Sequence, residues 1–318
     1  MIKGILYALG ACIFWGLIFV IPQFMTGFSP LEITLGRYFF FGAVSSLIFF
    51  KDFIKGRCRY PKHIWFKALP LSLASTFLYY IFLILALRYS SPPICALVLG
   101  ISPVTIALYG NWKQKEIPYR QLIIPSILLT AGLVMVNVPH LETTAMPLIY
   151  CLGLFYLLIS LSSWSWYVVV NSKFLKSHPK VSSSDWVTMV GVATLGWVLV
   201  LSIILIPFCS SQIDCNKFFT HSDELERFLI GAAILGLLCS WVGNFLWNKA
   251  TLYLPVSLAG QLTIFETIFG VTYLFAINQS LPSPIEGIGM VLMLSAILYA
   301  IRKFTIKKKK THDQIPPH

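Results

Sequence analysis

The sequence predicts an all-α integral membrane protein, with ten transmembrane helices arranged as two inverted five-helix repeats. Three observations carry this reading. Of 318 residues, 57% are hydrophobic and only 11% charged, against about 25% charged in a soluble domain. The stretches 68–87, 89–112, 121–141, 143–172, 186–213 and 228–248 contain no Asp, Glu, Lys or Arg, and each is long enough for a helix to cross about 30 Å of hydrocarbon. One half of the chain can also be laid along the other.

Lipid offers the backbone no hydrogen-bonding partner, so a spanning segment is a helix or part of a closed barrel. Continuous apolar runs without strict alternation select helices. The spans fall near 3–22, 30–50, 65–88, 91–112, 119–138, 146–171, 184–207, 228–249, 256–277 and 284–302. Span one follows Lys3 in the manner of a signal peptide, but no small-x-small cleavage site follows it and nine further spans do, so it reads as retained. Pro103 in span four and Pro125 in span five predict kinks, and a kink can act as a gate hinge. Gly10 and Gly16 in span one, and Gly287 and Gly289 in span ten, predict close helix approach.

The net charge of +12 suits a nucleic-acid partner in principle, but its distribution points to membrane topology. With Lys3 inside and the chain alternating, 20 of the 24 basic residues fall on the cytoplasmic side, among them Lys51 to Lys67, Lys113, Lys115, Arg120, Lys173, Lys176, Lys180 and the tail. Arg88, Lys217 and Arg227 fall outside and Arg37 within a span. The bias places both termini in the cytoplasm, with Lys307 to Lys310 as an anchor at the anionic leaflet.

At an offset of 164, residues 86–136 align with 250–300 without a gap: Tyr89 meets Tyr253, Tyr109 meets Tyr273 and Pro118 meets Pro282. Earlier in each half, WGLIFVIPQF from Trp15 matches WSWYVVVNSKF from Trp164. Five spans per half is an odd number, so the second half enters the membrane from the opposite face. The units are 1–140, 141–304 and a basic, disordered cytoplasmic tail, 305–318. Inverted repeats are the architecture of many secondary transporters, which rock around a site near the midplane.

The Trp-Gly of span one, Arg37 in span two and LWNKATLYLPVSLAG at 246–260 give the chain its resemblance to the drug/metabolite transporter superfamily, in its ten-helix EamA-type branch. The resemblance covers residues 4–302. Glu116 sits where such proteins often carry an acid, whereas the second-half equivalent, Ser280, departs from the pattern, as does Thr267 after Glu266. The resemblance implies a cavity walled by spans one, three, four, six, eight and nine, and a bacterial inner-membrane exporter of amino acids or other small metabolites.

Glu266 is the one acid well inside a span, and a carboxylate at that depth must be protonated, paired or wet. Its helical face carries Ala259, Thr263, Gly270 and Tyr273. The expected role is proton carrier or counter-ion to a substrate amine, set against a structural hydrogen bond to a neighbouring helix. Arg37 either snorkels or locks a helix, or holds a substrate carboxylate; Glu32, five residues away, is poorly spaced to pair with it. Span eight sets Trp241, Asn244 and Asn248 on one stripe with Ser240 and Trp247 beside them. Span six adds Ser160, Ser163, Trp164, Tyr167 and Asn171, and span three Thr76, Tyr79 and Tyr80. With Trp15, these stripes predict a lining that stacks a planar or cationic solute; helix packing is the better explanation of any one of these residues, and only the convergence of the stripes favours the lining.

All six His and all five Asp residues are placed in loops or tails, which leaves no intramembrane zinc site, Ser-His pair or aspartyl dyad. The chain is expected not to be an enzyme and to hold no metal or cofactor. A channel is disfavoured by the lack of a carbonyl-filter motif. The seven Cys have no metal-ligand spacing, and Cys209 and Cys215 either pair in an external loop or remain thiols. The expected partners are a small-molecule substrate, the bilayer and protons as coupling ion, with no nucleic acid and with a homodimer left open. Two transport modes compete: export of an amino acid or related metabolite, and uptake or exchange of a cationic nucleoside-type metabolite such as S-adenosylmethionine.

Overall fold

The computed structural model describes residues 1–56, 60–87, 89–90, 92–137, 147–205 and 222–313. Within them lie ten helical segments long and apolar enough to cross a membrane: Ile2–Phe24, Pro30–Ile54, Lys62–Leu87, Ile94–Gln114, Tyr119–Asn137, Cys151–Ser177, Ser183–Ile203, Asp223–Tyr253, Val256–Ile277 and Pro284–Ile306, numbered one to ten below. Several exceed the expected lengths because apolarity marks only the part of a helix that lipid must accept, while polar end turns continue it. Asp52, Asp185 and Asp223, expected in loops, lie in such end turns. The helix of span ten continues through Asp313, so residues 305–313 of the expected disordered tail are helical. Arg57, Arg59, Arg88, Cys209, Cys215, Lys217 and residues 314–318 lie outside the described residues.

The polar ends are capped from the local sequence. Ser29 and Glu32 form a reciprocal capping box at span two, with Glu32 Oε2 accepting from the Ser29 N–H at 2.6 Å and Ser29 Oγ from the Glu32 N–H at 3.2 Å. Ser283 and Glu286 do the same at span ten. Glu32 is therefore engaged at a helix start and does not serve Arg37.

Two pairs of spans share a departure from regular helix. Span three passes through a π-helical stretch at Leu73–Leu78 and span eight through one at Leu235–Val242. Span four breaks between Gly100 and Ser102, with Pro103 in the first turn of the second piece, and span nine breaks at Thr263. Pro125, by contrast, sits inside a helix that runs unbroken from Tyr119 to Asn137. Among the described residues, the non-glycine positions with positive φ are Lys115 (50°) and Gln279 (47°), which the 164-residue offset superposes.

Extensive helix contacts join spans five and ten, two and seven, one and eight, four and nine, and three and six, and also two and eight and one and nine. The first five pairings map onto one another when each span is exchanged with the one five places on, the pattern a two-fold relation between the halves would give. At the seam of spans five and ten, a Cβ on Gly132 would lie 2.5 Å from the Gly289 carbonyl, and one on Gly289 would lie 2.6 Å from the Gly132 carbonyl. Only glycine lets the two backbones approach so closely. Gly287, two residues earlier and so on the opposite face of the helix, has open space around it.

Candidate functional site

The two π-helical stretches prepare the centre of the bundle. Inserting a residue into a helical turn frees backbone carbonyls from their usual partners, and in lipid each must be bonded by something else. In span eight, Ser240 Oγ donates to the Leu235 carbonyl at 3.0 Å, the Trp15 indole to the Cys239 carbonyl at 2.9 Å and the Asn244 amide to the Ser240 carbonyl at 2.7 Å. In span three, Ser163 of span six donates to the Ala74 carbonyl at 2.9 Å and Ser160 to the Tyr79 carbonyl at 2.6 Å. The polar residues of spans one and six thus hold the irregular backbone of spans eight and three.

Between these elements lies a cavity of about 750 Å³. It runs from mid-bundle residues such as Tyr167, Asn244 and Thr263 to Asn137, Asn278 and Ser280 at the end of the bundle opposite the termini. By the distribution of basic residues, this end is the non-cytoplasmic one. The wall includes the expected spans one, three, four, six, eight and nine, and span two adds Thr34, Arg37, Tyr38 and Phe41.

Glu266 stands in this wall, and among the described residues nothing hydrogen-bonds its carboxylate. Glu286, also on the lining, is the capping carboxylate of span ten. Arg37 donates from Nε to Ser240 Oγ at 2.9 Å, and its Cζ lies 5.3 Å from the centroid of the Tyr38 ring. Ser240 is available to it because its own proton goes to Leu235. Arg37 and Glu266 make no ion pair with each other among the described residues, so a guanidinium and a carboxyl group face one cavity without touching.

Aromatic rings form the inner part of the wall. Trp164 lies 5.5 Å from Tyr167, 5.6 Å from Tyr79 and 6.3 Å from Trp15 between ring centroids. Such a cluster presents several π-faces to a solute and suits a planar or cationic group.

Of the residues predicted from sequence, Glu266, Arg37, Trp15, Tyr79, Tyr80, Trp164, Tyr167, Asn244 and Thr263 line the cavity. Trp241, Asn248 and Tyr273 lie elsewhere. Trp241 stacks on Phe245 and turns its indole to Thr188 of span seven. Asn248 Oδ1 accepts from Asn171, whose own Oδ1 accepts from the Trp186 indole, a closed and buried network. The π-helical stretch ends at Val242 and so shifts Trp241 relative to Asn244, whereas Asn248 lies one regular turn beyond Asn244, toward the cytoplasmic end and below the residues that line the cavity. Tyr273 donates to the Ile13 carbonyl of span one. The cavity follows Thr267, Val271, Leu274 and Phe275 along span nine instead. Ser102, Thr267 and Asn278 are lining polar residues that periodicity did not single out; the break in span four was the missing signal for Ser102.

The EamA-like transporter family matches the chain over residues 2–138 and 151–302, one segment for each half. The inner membrane protein YtfF of Escherichia coli (strain K12) is 28% identical over 310 residues, covering 95% of this chain and 96% of that protein. The uncharacterized transporter YyaM of Bacillus subtilis (strain 168) is 22% identical over 314 residues, covering 96% of each. A solved crystal structure superposes with a TM-score of 0.75 at 17% identity, covering 93% of this chain and 96% of that one, a likeness of fold.

Proposed function

Since the chain belongs to the EamA-like transporter family, we propose that it is a secondary active carrier that exports an amino acid or related zwitterionic metabolite across a bacterial inner membrane by alternating access. The observation that carries the substrate reading is the presence of Arg37 and Glu266 on one cavity without a mutual ion pair. A zwitterion supplies both missing charges: its carboxylate meets the guanidinium, and its ammonium meets Glu266. When the site is empty, a proton on Glu266 removes the cost of an uncompensated carboxylate at membrane depth, and this exchange of proton for solute is the basis of coupling. The inner-membrane assignment draws on the name of the Escherichia coli relative together with the ten apolar spans.

The aromatic cluster around Trp164 favours a second reading, in which the solute is a cationic nucleoside-type metabolite such as S-adenosylmethionine. Its base would stack on Tyr79 or Trp164 and its cation would sit at Glu266.

A thermal-shift screen of purified protein against amino acids, nucleosides and S-adenosylmethionine tests both readings, since a ligand that binds only the folded state raises its apparent stability. The expected result is stabilisation by an amino acid, followed by saturable counterflow of that solute in proteoliposomes. Stabilisation by S-adenosylmethionine alone would select the second reading, and turnover of a solute in detergent, where no gradient exists, would replace both with an enzyme.

A further inference from the structure

We propose that Glu116 is a latch holding the cytoplasmic side of the bundle shut, and that the outer side lacks its counterpart, so the chain rests open to the outside. The proposal rests on the alternating-access reading above. In the loop between spans four and five, Glu116 Oε1 accepts the Val256 N–H at 2.6 Å and Oε2 accepts the Ser257 N–H at 2.7 Å. These are the opening N–H groups of span nine, which have no carbonyl in a preceding turn. A carboxylate on them forms charge-assisted bonds and meets the positive end of the helix dipole.

The loop aims the carboxylate. Lys115 takes φ 50° and its N–H bonds the Asn111 carbonyl at 2.7 Å, while Asn111 Oδ1 accepts the Ile117 N–H at 2.9 Å. Spans four and nine are pressed together here: a Cβ on Gly110 would come within 2.8 Å of Val256, and one on Gly260 within 2.5 Å of Ile106.

The 164-residue offset locates the corresponding place at the outer end. Lys115 maps to Gln279, which repeats the turn with φ 47°, and Glu116 maps to Ser280. Val256 and Ser257 map to Pro92 and Pro93, whose ring nitrogens carry no hydrogen. The turn has been kept while the carboxylate and both donors have gone, and the cavity extends to Ser280. A second observation concerns the latched side. Ser257 and Gln261 are fully buried, and neither Ser257 Oγ nor either amide atom of Gln261 has a hydrogen-bond partner among the described residues. Buried unbonded polar groups are unfavourable, so this side is closed against a tendency to take up water, and releasing Glu116 favours opening.

The test uses full-length protein with its native cysteines replaced by serine and one reporter, Gln261→Cys or Leu99→Cys, in membrane vesicles of known sidedness treated with an impermeant maleimide. Glu116→Gln is expected to raise labelling at position 261 from the cytoplasmic face about tenfold and to lower labelling at position 99 from the outer face, as a shift between two states demands. Ser280→Glu combined with Pro92→Ala and Pro93→Ser supplies the missing outer latch and is expected to move both signals in the same directions. Unchanged labelling in folded Glu116→Gln, or a rise from both faces at once, overturns the latch. Should Glu116→Gln fail to accumulate, the gain-of-latch variant decides, and no shift in it overturns the proposal. Labelling needs no solute, so a failure of counterflow would count against the transport reading alone.

Discussion

Span four breaks near Ile101 and span nine at Thr263, and both present residues next to the break to the central cavity, yet span four offers Ser102 where the offset places Glu266 in span nine. Span two likewise brings Arg37 to the cavity, while span seven contributes Val190. The backbone breaks are alike and the charge beside them is not. A cavity between chemically equal halves would hold a solute in two equivalent poses. A carboxyl group from one half and a guanidinium from the other would remove that degeneracy and, under the function proposed above, give a zwitterion one orientation.

The largest expected effect tests this inequality directly. Glu266→Gln keeps shape and folding but removes the charge, and is expected to reduce coupled flux in proteoliposomes by about a hundredfold, in keeping with the loss of a desolvated charge partner. Ser102→Ala at the matching place is expected to change flux by less than about threefold, the size of a modest neutral hydrogen bond. Equal losses in the two variants would break the comparison. An intermediate effect is expected for Arg37→Lys. An ammonium cannot reproduce the planar fork or keep the Ser240 contact while gripping a carboxylate, so solute affinity read by thermal shift should fall about tenfold.

The smallest effect on transport belongs to the residues that turned out to pack. Asn171→Ala leaves Asn248 and the Trp186 indole without a buried partner, which costs about 1–3 kcal/mol. It should lower the unfolding temperature while leaving solute affinity within about twofold, the usual scale for a site remote from the ligand. A large affinity change there would show that the network and the cavity act as one unit.

The ten spans were legible in the sequence because crossing lipid is a demand on composition, and composition survives without any knowledge of tertiary contacts. Glu266 was legible for the same reason, as an isolated acid in an apolar run. Trp241 departs from the stripe because the helix there is wound as a π-helix and 3.6-residue spacing does not hold, and Asn248 leaves it because periodicity fixes a face but not how deep the cavity reaches along it. Tyr273 shares its face with Glu266, but a periodic face does not reveal which neighbour crosses it, and span one covers that part. The hydrogen bond from Arg37 to Ser240 joins residues 203 positions apart, and no local spacing announces such a contact. Spacing did exclude Glu32, whose place in a capping box accounts for it.

The backbone contact of Gly132 with Gly289 limits which substitutions the bundle can accept. Each glycine excludes a side chain on the other, so neither position can drift alone: an alanine at one would strike a carbonyl at the other, and no change of rotamer moves a carbonyl. The seam therefore ties the two positions together: a side chain at either one would force spans five and ten apart along their whole contact, and the cavity wall with them.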